Sequence, residues 1–221
     1  MNPFSFATTA QILCESGSAS QLGELCKVRD AHRVLIVTDP GITKIGLLSG
    51  VLPTLSSAGI AVEVFDQVEA DPPESVVLAA VEQAKAMQAE LIIGFGGGSS
   101  MDVAKLVALL AHPSCSQTLQ DIYGVGNARG QRLPLIQVPT TAGTGSEVTQ
   151  IAIITTRHDP ISKQRPNNGV TDYPSFACSG MTSQCDSSVR PRSRRWYGKH
   201  VEEGRPHIRT GFGIHLQVLG A

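Results

Sequence analysis

The chain is poor in cysteine and has no long hydrophobic run. Its 221 residues contain five cysteines, and none are in Cys-x-x-Cys spacing. This pattern argues against a disulfide framework and against a structural zinc site. No stretch of about 18 apolar residues is present, so we expect no membrane span. The N-terminal segment has no basic start followed by a long apolar run, so we expect no signal peptide. A cytoplasmic protein with reduced thiols is the resulting expectation.

A strong net charge is also missing. The formal net charge of −1 argues against a dedicated nucleic-acid-binding protein. The charge is unevenly distributed, however. Residues 1–156 carry eight Lys and Arg against fourteen Asp and Glu, a net −6, whereas residues 157–221 carry ten against five, a net +5. We therefore predict two parts, a folded domain over residues 1–156 and a basic tail over residues 157–221.

The first part alternates between strand-like and helix-like segments. Short apolar runs predict strands at 33–38, 60–65, 91–95, 133–138 and 150–154. Helical spacing predicts helices at 20–28, 74–88 and 100–110, and in part over 42–57. An edge hairpin could form within residues 4–13. Strands that alternate with helices imply right-handed βαβ units, and hence a largely parallel sheet with helices on both faces.

The most informative segment is LIIGFGGGSSMDVAKL, residues 91–106. A buried-strand run ends at Gly96, Gly97 and Gly98, and Ser99 and Ser100 follow as candidate N-caps of the next helix. Glycines let the backbone approach an anion closely, and the free N–H groups of the helix start point at it. The segment therefore predicts a phosphate site, the alternative being a tight turn without a ligand.

Two further loops follow predicted strands, at the sheet edge where open parallel sheets bind ligands. Asp39 follows RVLIVT; its carboxylate could accept hydrogen bonds from a ribose diol and would repel a 2′-phosphate, which favours NAD over NADP. Alternatively, it only forms an Asp-Pro-Gly turn. The loop VPTTAGTGSEVT, residues 138–149, concentrates hydroxyls that could surround a dinucleotide, or it is simply a polar loop. Here the acidic residue, Asp39, precedes the glycine loop at Gly96, whereas in the usual Rossmann fingerprint the glycines come before the acidic residue.

Two of these segments resemble signature sequences of a known family. GGGSSMDVAK (96–105) and PTTAGTGSEVT (139–149) are similar to those of the iron-containing, or group III, alcohol dehydrogenases, over residues 1 to about 155. The resemblance implies a Rossmann-like α/β domain of the dehydroquinate synthase-like type that binds NAD. It further implies alcohol and aldehyde substrates, and it allows a homo-oligomer. The implied cofactor-binding residues are Asp39, Asp71, Gly96, Gly97, Gly98, Ser99, Asp102, Thr140, Thr141 and Thr149.

The resemblance also implies a helical domain with a divalent metal, usually Fe²⁺ or Zn²⁺, held by one Asp and three His. The segment GxDAxxHxxE that introduces these ligands is absent from this sequence. Residues 157–221 contain His158, His200, His207 and His215 without helical Asp/His spacing, so we expect no metal ligands and no catalytic residues there. We interpret the family half as truncated, catalytically impaired and followed by a mostly disordered tail.

The change in composition after Thr156 suggests an aberrant or out-of-frame C-terminus. Translation of the other two reading frames past codon 156 would test this hypothesis. Two other functions stay open from the sequence. One is a non-catalytic nucleotide-binding module. The other, which we favour less, is a nucleic-acid-binding arm formed by RPRSRRWYGKH, since clustered Arg with aromatics can neutralise phosphate and stack on bases.

Overall fold

The computed structural model describes residues 9–124, 126–156, 175–177 and 215–219, the last two segments as backbone only. The strands are β1 (Gln11–Cys14), β2 (Arg33–Val37), β3 (Ala61–Phe65), β4 (Leu91–Gly96), β5 (Leu135–Pro139), β6 (Ile151–Ile153), β7 (Ser175–Ala177) and β8 (His215–Leu219). The α-helices are α1 (Leu22–Lys27), α2 (Pro40–Lys44), α3 (Leu52–Ser57), α4 (Glu74–Ala86) and α5 (Gly98–Leu110). Short 3₁₀ helices cover Ser18–Gln21, Leu47–Gly50 and Gln120–Ile122.

Six strands form the main sheet in the order β1-β8-β5-β4-β2-β3. The four strands β3, β2, β4 and β5 are parallel, as the alternating sequence pattern predicts, and β8 pairs antiparallel with both β5 and β1. The chain moves from β2 outward to β3 and then returns to place β4 on the other side of β2. The strand order therefore reverses between β2 and β4, and ligands bind at such a reversal in open α/β sheets.

Alternate residues of the central strands pack on opposite faces of the sheet. Val34, Ile36, Leu91 and Ile93 belong to one buried cluster together with residues of α1 and α3. Leu35, Val37 and Ile92 belong to a second cluster together with α4 and α5. Because both faces are covered, these strands read as continuous apolar runs rather than as alternating patterns.

Helix α5 is buried on all sides. Residues Ser100 to Leu110 are all buried, including the polar Ser100, Asp102 and Lys105. The helix approaches β4 closely because Gly94 has no side chain. A Cβ added there would lie 2.1 Å from Oε1 of Gln137 and 2.8 Å from Cβ of Ala104. The glycine in the middle of this strand therefore sets the helix-to-sheet distance beneath the candidate site.

Three expectations need correction. The predicted helix over 42–57 is broken into α2, a 3₁₀ turn and α3, consistent with Gly46, Gly50 and Pro53. The edge strand near the N-terminus is β1, and its partner is β8 rather than a neighbouring hairpin strand; residues 1–8 lie outside the described residues. The strand predicted at 150–154 forms β6 but pairs with β7 outside the main sheet.

The tail expected at 157–221 is described only in part. Two segments of it, β7 and β8, are strands, and β8 lies inside the main sheet. The rest of this expectation lies outside the described residues. Within the described part of the chain, no helix is both long and apolar enough to cross a membrane.

Candidate functional site

A cleft of about 400 Å³ opens at the reversal between β2 and β4. Its size falls within the usual range of ligand pockets, about 300–1,000 Å³. Three loops at the carboxyl ends of β2, β3 and β4 form its walls. The lining residues are Asp39, Pro40, Gly41, Val68, Glu69, Ala70, Gly97, Gly98, Ser99 and Ser100.

The turn from β4 into α5 requires glycine. Gly96 has φ +148°, a backbone conformation that L side chains rarely adopt, and a Cβ there would lie 2.7 Å from Ser100 Oγ. Helix α5 begins at Gly98, and its N-cap is Gly97. The expectation that Ser99 and Ser100 are N-caps is therefore wrong, because the glycines themselves complete the turn and both serines lie in the first helical turn.

The amino end of α5 faces the cleft with free backbone donors. No side chain caps this helix, and its first intrahelical bond runs from Met101 N to Gly97 O at 3.1 Å. The N–H groups of the residues before Met101 have no acceptor within the helix. Together with the helix dipole they form a site for an anion, and Gly97, Gly98 and Ser99 line the cleft there.

Asp39 caps a helix and also lines the cleft. Its Oδ1 caps α2, accepting hydrogen bonds from Gly41 N at 2.9 Å and Ile42 N at 3.1 Å. Its Oδ2 faces α5, 3.5 Å from Ser100 Oγ, and the residue lines the cleft. One oxygen therefore fixes the turn while the other stays at the cleft, next to the glycines.

The loop after β5 lies over the glycine turn. Thr140 N donates to Gly96 O at 2.9 Å, which joins the loop to the end of β4. A Cβ added at Gly97 would lie 3.5 Å from Thr141 Oγ1. A Cβ at Gly98 would lie 3.3 Å from Thr144 Cγ2. The structure thus brings Thr140 and Thr141, two of the expected residues, next to the glycines, and adds Thr144.

Six of the ten expected residues are not among those that line the cleft. Gly96, Thr140 and Thr141 lie next to it, in the turn and the loop described above, and the other three are Asp71, Asp102 and Thr149. Asp102 is buried, and its Oδ2 accepts from Ile153 N at 3.0 Å, so its contact is with backbone inside the protein. Thr149 lies 3.4 Å from Lys105 Nζ on the same inner side of the loop. Asp71 has φ +50°, and its carbonyl accepts from Thr155 Oγ1 at 2.9 Å, which joins the loop after β3 to the chain beyond β6.

Sequence reasoning missed the residues that line the cleft just before Asp71. Val68, Glu69 and Ala70 form the wall after β3. The signal available was topological: β3 is parallel to β2 and β4, so the loop after it must reach the same edge of the sheet.

Within the described residues, no group of three or more His, Cys, Asp or Glu side chains could hold a metal ion. His158, His200 and His207 lie outside the described residues, and of His215 only the backbone in β8 is described.

The parallel sheet and the strand-order reversal define a doubly wound α/β domain, with the uncapped glycine turn at its cleft. The family model for iron-containing alcohol dehydrogenase matches residues 9–173. The chain therefore belongs to the iron-containing alcohol dehydrogenase family. The match extends past residue 155, where we expected the resemblance to end.

Individual relatives agree with this assignment. The chain is 36% identical over 155 residues to alcohol dehydrogenase 4 of Saccharomyces cerevisiae, covering 70% of this chain and 40% of that protein. It is 39% identical over 139 residues to long-chain-alcohol dehydrogenase 1 of Geobacillus thermodenitrificans, covering 62% and 35%. The crystal structure of sulfoacetaldehyde reductase from Bifidobacterium kashiwanohense in complex with NAD⁺ matches with TM-score 0.66 and 26% identity, covering 80% and 44%. The chain spans about two fifths of the length of the curated relatives it matches.

Proposed function

We propose that this chain supplies the dinucleotide-binding domain of an NAD-dependent alcohol dehydrogenase, with the cleft between β2 and β4 as the cofactor site. The observation that carries the proposal is the uncapped amino end of α5 beneath three glycines. When bound, NAD would accept a hydride from an alcohol or, as NADH, return it to an aldehyde or ketone. The residues of this chain bind and orient the cofactor.

The diphosphate is proposed to sit against Gly97, Gly98 and Ser99. The described lining of the cleft contains no lysine or arginine, so neutralisation of the phosphates would depend on backbone N–H groups and the helix dipole. A side chain at Gly97 or Gly98 would occupy space in the cleft between α5 and the threonine loop. The relative that was solved with NAD⁺ bound supports a dinucleotide as the ligand.

The carboxylates of the cleft favour NAD over NADP. Asp39 and Glu69 both line it, and among the described lining residues no cation offsets them. Oδ2 of Asp39, which does not cap α2, could accept a hydrogen bond from a ribose diol, whereas a 2′-phosphate would meet two negative charges. Asp39 is therefore proposed to select the cofactor as well as to cap α2.

The substrate is proposed to be an alcohol or its aldehyde, with no narrower choice. The matched relatives include proteins named for alcohols of different kinds and for sulfoacetaldehyde, while they share this same part of the fold. The described residues do not provide the ligand set for the metal that the family implies, so no step is assigned to one. We further propose that residues 1–221 alone bind dinucleotide without oxidising alcohols, as a non-catalytic nucleotide-binding module would.

Titration with NADH, followed by its fluorescence, tests the proposal. The Gly97→Ala variant places a methyl group in the cradle, and the new Cβ makes only ordinary van der Waals contact with Thr141, so the fold should tolerate it. We expect NADH affinity to fall about tenfold or more, because a lost phosphate hydrogen bond is worth about 1.5–3 kcal/mol. Gly50→Ala is the matched control, since a Cβ there meets nothing within 4 Å.

A second arm tests cofactor choice. Asn is as good an N-cap as Asp, so Asp39→Asn keeps α2 capped while removing the charge that faces the cleft. We expect NADPH to gain affinity relative to NADH in this variant. Wild-type protein that binds neither nucleotide, or a Gly97→Ala variant that binds NADH normally, would contradict the proposed site. NADH production from an alcohol with added Fe²⁺ or Zn²⁺ would contradict the non-catalytic proposal alone.

A further inference from the structure

A charged pair lies inside the domain, directly beneath the loop that covers the glycine turn. Lys105 is 2% exposed and lies in the middle of α5. Its Nζ is 3.0 Å from Asp102 Oδ1, one helical turn earlier. Removing either residue of such a buried pair destabilises the fold, because the remaining charge would be buried without its partner. The presence of this pair therefore requires an explanation.

Most partners of this pair come from a segment more than 40 residues later. Lys105 Nζ donates to Ser146 Oγ at 2.9 Å and to Ile151 O at 2.7 Å. Ser146 Oγ also donates to Asp102 Oδ1, and Ile153 N donates to Asp102 Oδ2 at 3.0 Å. An ammonium has three N–H groups, and Asp102, Ser146 and Ile151 can accept all three. The pair therefore ties α5 to residues 146–153.

The segment tied down in this way continues directly from the threonine loop. Thr140 is fixed at one end by its bond to Gly96 O, and Ser146 is fixed at the other by the ion pair. Between these two anchors, Thr141 and Thr144 lie over Gly97 and Gly98. Both are exposed to solvent. Their placement over the cleft thus depends on the anchors at the two ends of the loop.

We propose that Lys105 and Asp102 are positioning residues, whose ion pair holds the 140–146 loop closed over the phosphate cradle. Neither residue lines the cleft, so both act on the ligand through the loop. The consequence for nucleotide affinity depends on the proposed function, whereas the anchoring of the loop does not. If the ordered loop raises the affinity for nucleotide, bound nucleotide must in turn stabilise the ordered loop, because coupling between two equilibria is reciprocal.

Hydrogen exchange of the free protein, followed by mass spectrometry, tests the anchoring without any nucleotide. Ser146→Ala removes one anchor and leaves the ion pair in place; Lys105→Met removes the pair. Lys85→Met is the matched control, because Lys85 forms an exposed i,i+3 pair with Glu82 on α4. We expect faster exchange in peptides covering 140–149 for the first two variants, with α4 as protected as in the wild type. The Lys85 variant should match the wild type in the loop.

NADH titration of the same variants tests the consequence. We expect Ser146→Ala to weaken NADH binding about tenfold, a loss comparable to that of one or two hydrogen bonds, and saturating NADH to restore the protection of 140–149. If the Lys105→Met variant does not fold, the results for Ser146→Ala decide whether the proposal holds. Folded variants whose 140–149 peptides exchange hydrogen at the wild-type rate would overturn the proposal. Faster exchange in this loop with an unchanged NADH affinity would also overturn it. If the wild type binds no NADH, the proposed function fails, and the exchange data alone decide whether the pair anchors the loop.

Discussion

We expect the Gly96→Ala substitution to destabilise the protein, because the turn from β4 into α5 requires a glycine at this position. Gly96 is the last residue of β4 and has φ +148°. An alanine there faces two costs. Its backbone would be held in a region that is almost closed to L residues, and its Cβ would lie 2.7 Å from Ser100 Oγ and 3.1 Å from Asp39 Oδ2.

The two costs can be given magnitudes. Backbone strain of this kind amounts to about 1–3 kcal/mol. Forcing a methyl group into a packed position adds about 1–3 kcal/mol. We therefore expect Gly96→Ala to lower the free energy of unfolding by about 2–6 kcal/mol, a large part of the 5–15 kcal/mol typical of a domain.

Urea denaturation followed by circular dichroism measures this change, and Gly59→Ala provides the control. Gly59 also has a positive φ, +77°, but a Cβ there meets nothing within 4 Å, so only the strain term applies. The control should lose about 1–2 kcal/mol. A Gly96→Ala variant as stable as the Gly59→Ala variant would refute the steric half of the argument, and one as stable as the wild type would refute both halves.

Two further predictions follow from pKa shifts. The backbone N–H of His32, with further help from Arg33, lowers the pKa of Glu90. The stabilisation is therefore present above the unfolded-state pKa of about 4.3 and is lost as the pH falls through the folded-state pKa. Urea midpoints of wild type and Glu90→Gln should differ at pH 7 and converge in acid; a gap that persists in acid contradicts this. Burial raises the pKa of Cys26 to about 11, so thiol labelling at pH 8, resolved by mass spectrometry, should be about 100-fold slower there than at exposed Cys14. Equal labelling rates at the two cysteines would contradict this prediction.

The sequence predicted the parallel part of the fold well, for physical reasons. Strands β2, β4 and β5 are buried on both faces, so they appear as uninterrupted apolar runs. Helix α4 appears as an amphipathic pattern, and Val77, Ala80, Val81 and Ala84, which share one of its faces, are buried. Strand β8 was missed because five residues of short alternation carry almost no signal, and its place between β5 and β1 depends on pairing across some 80 residues or more.

The cleft was predicted only in part. The glycines and Asp39 were identified because their chemistry depends on local sequence: a strand, a turn and a helix start. Val68, Glu69 and Ala70 have no such local signature and become lining residues only when β3 takes its place beside β2. Strand order, which sequence periodicity does not encode, decides which loops meet at one edge of the sheet.

Helix α5 shows why local pattern could not identify the partners of Asp102. Helical periodicity considers only the helix itself and does not show which distant groups reach a polar side chain in its first turn. The acceptors and donors that satisfy Asp102 and Lys105 lie 41 to 51 residues further along the chain. These two charges can be buried because the segment after β5 returns across α5 and pairs with them. Under the proposed function, the polar pattern of residues 96–105 would therefore answer two requirements, a bare backbone for the ligand and a charged anchor for the loop above it.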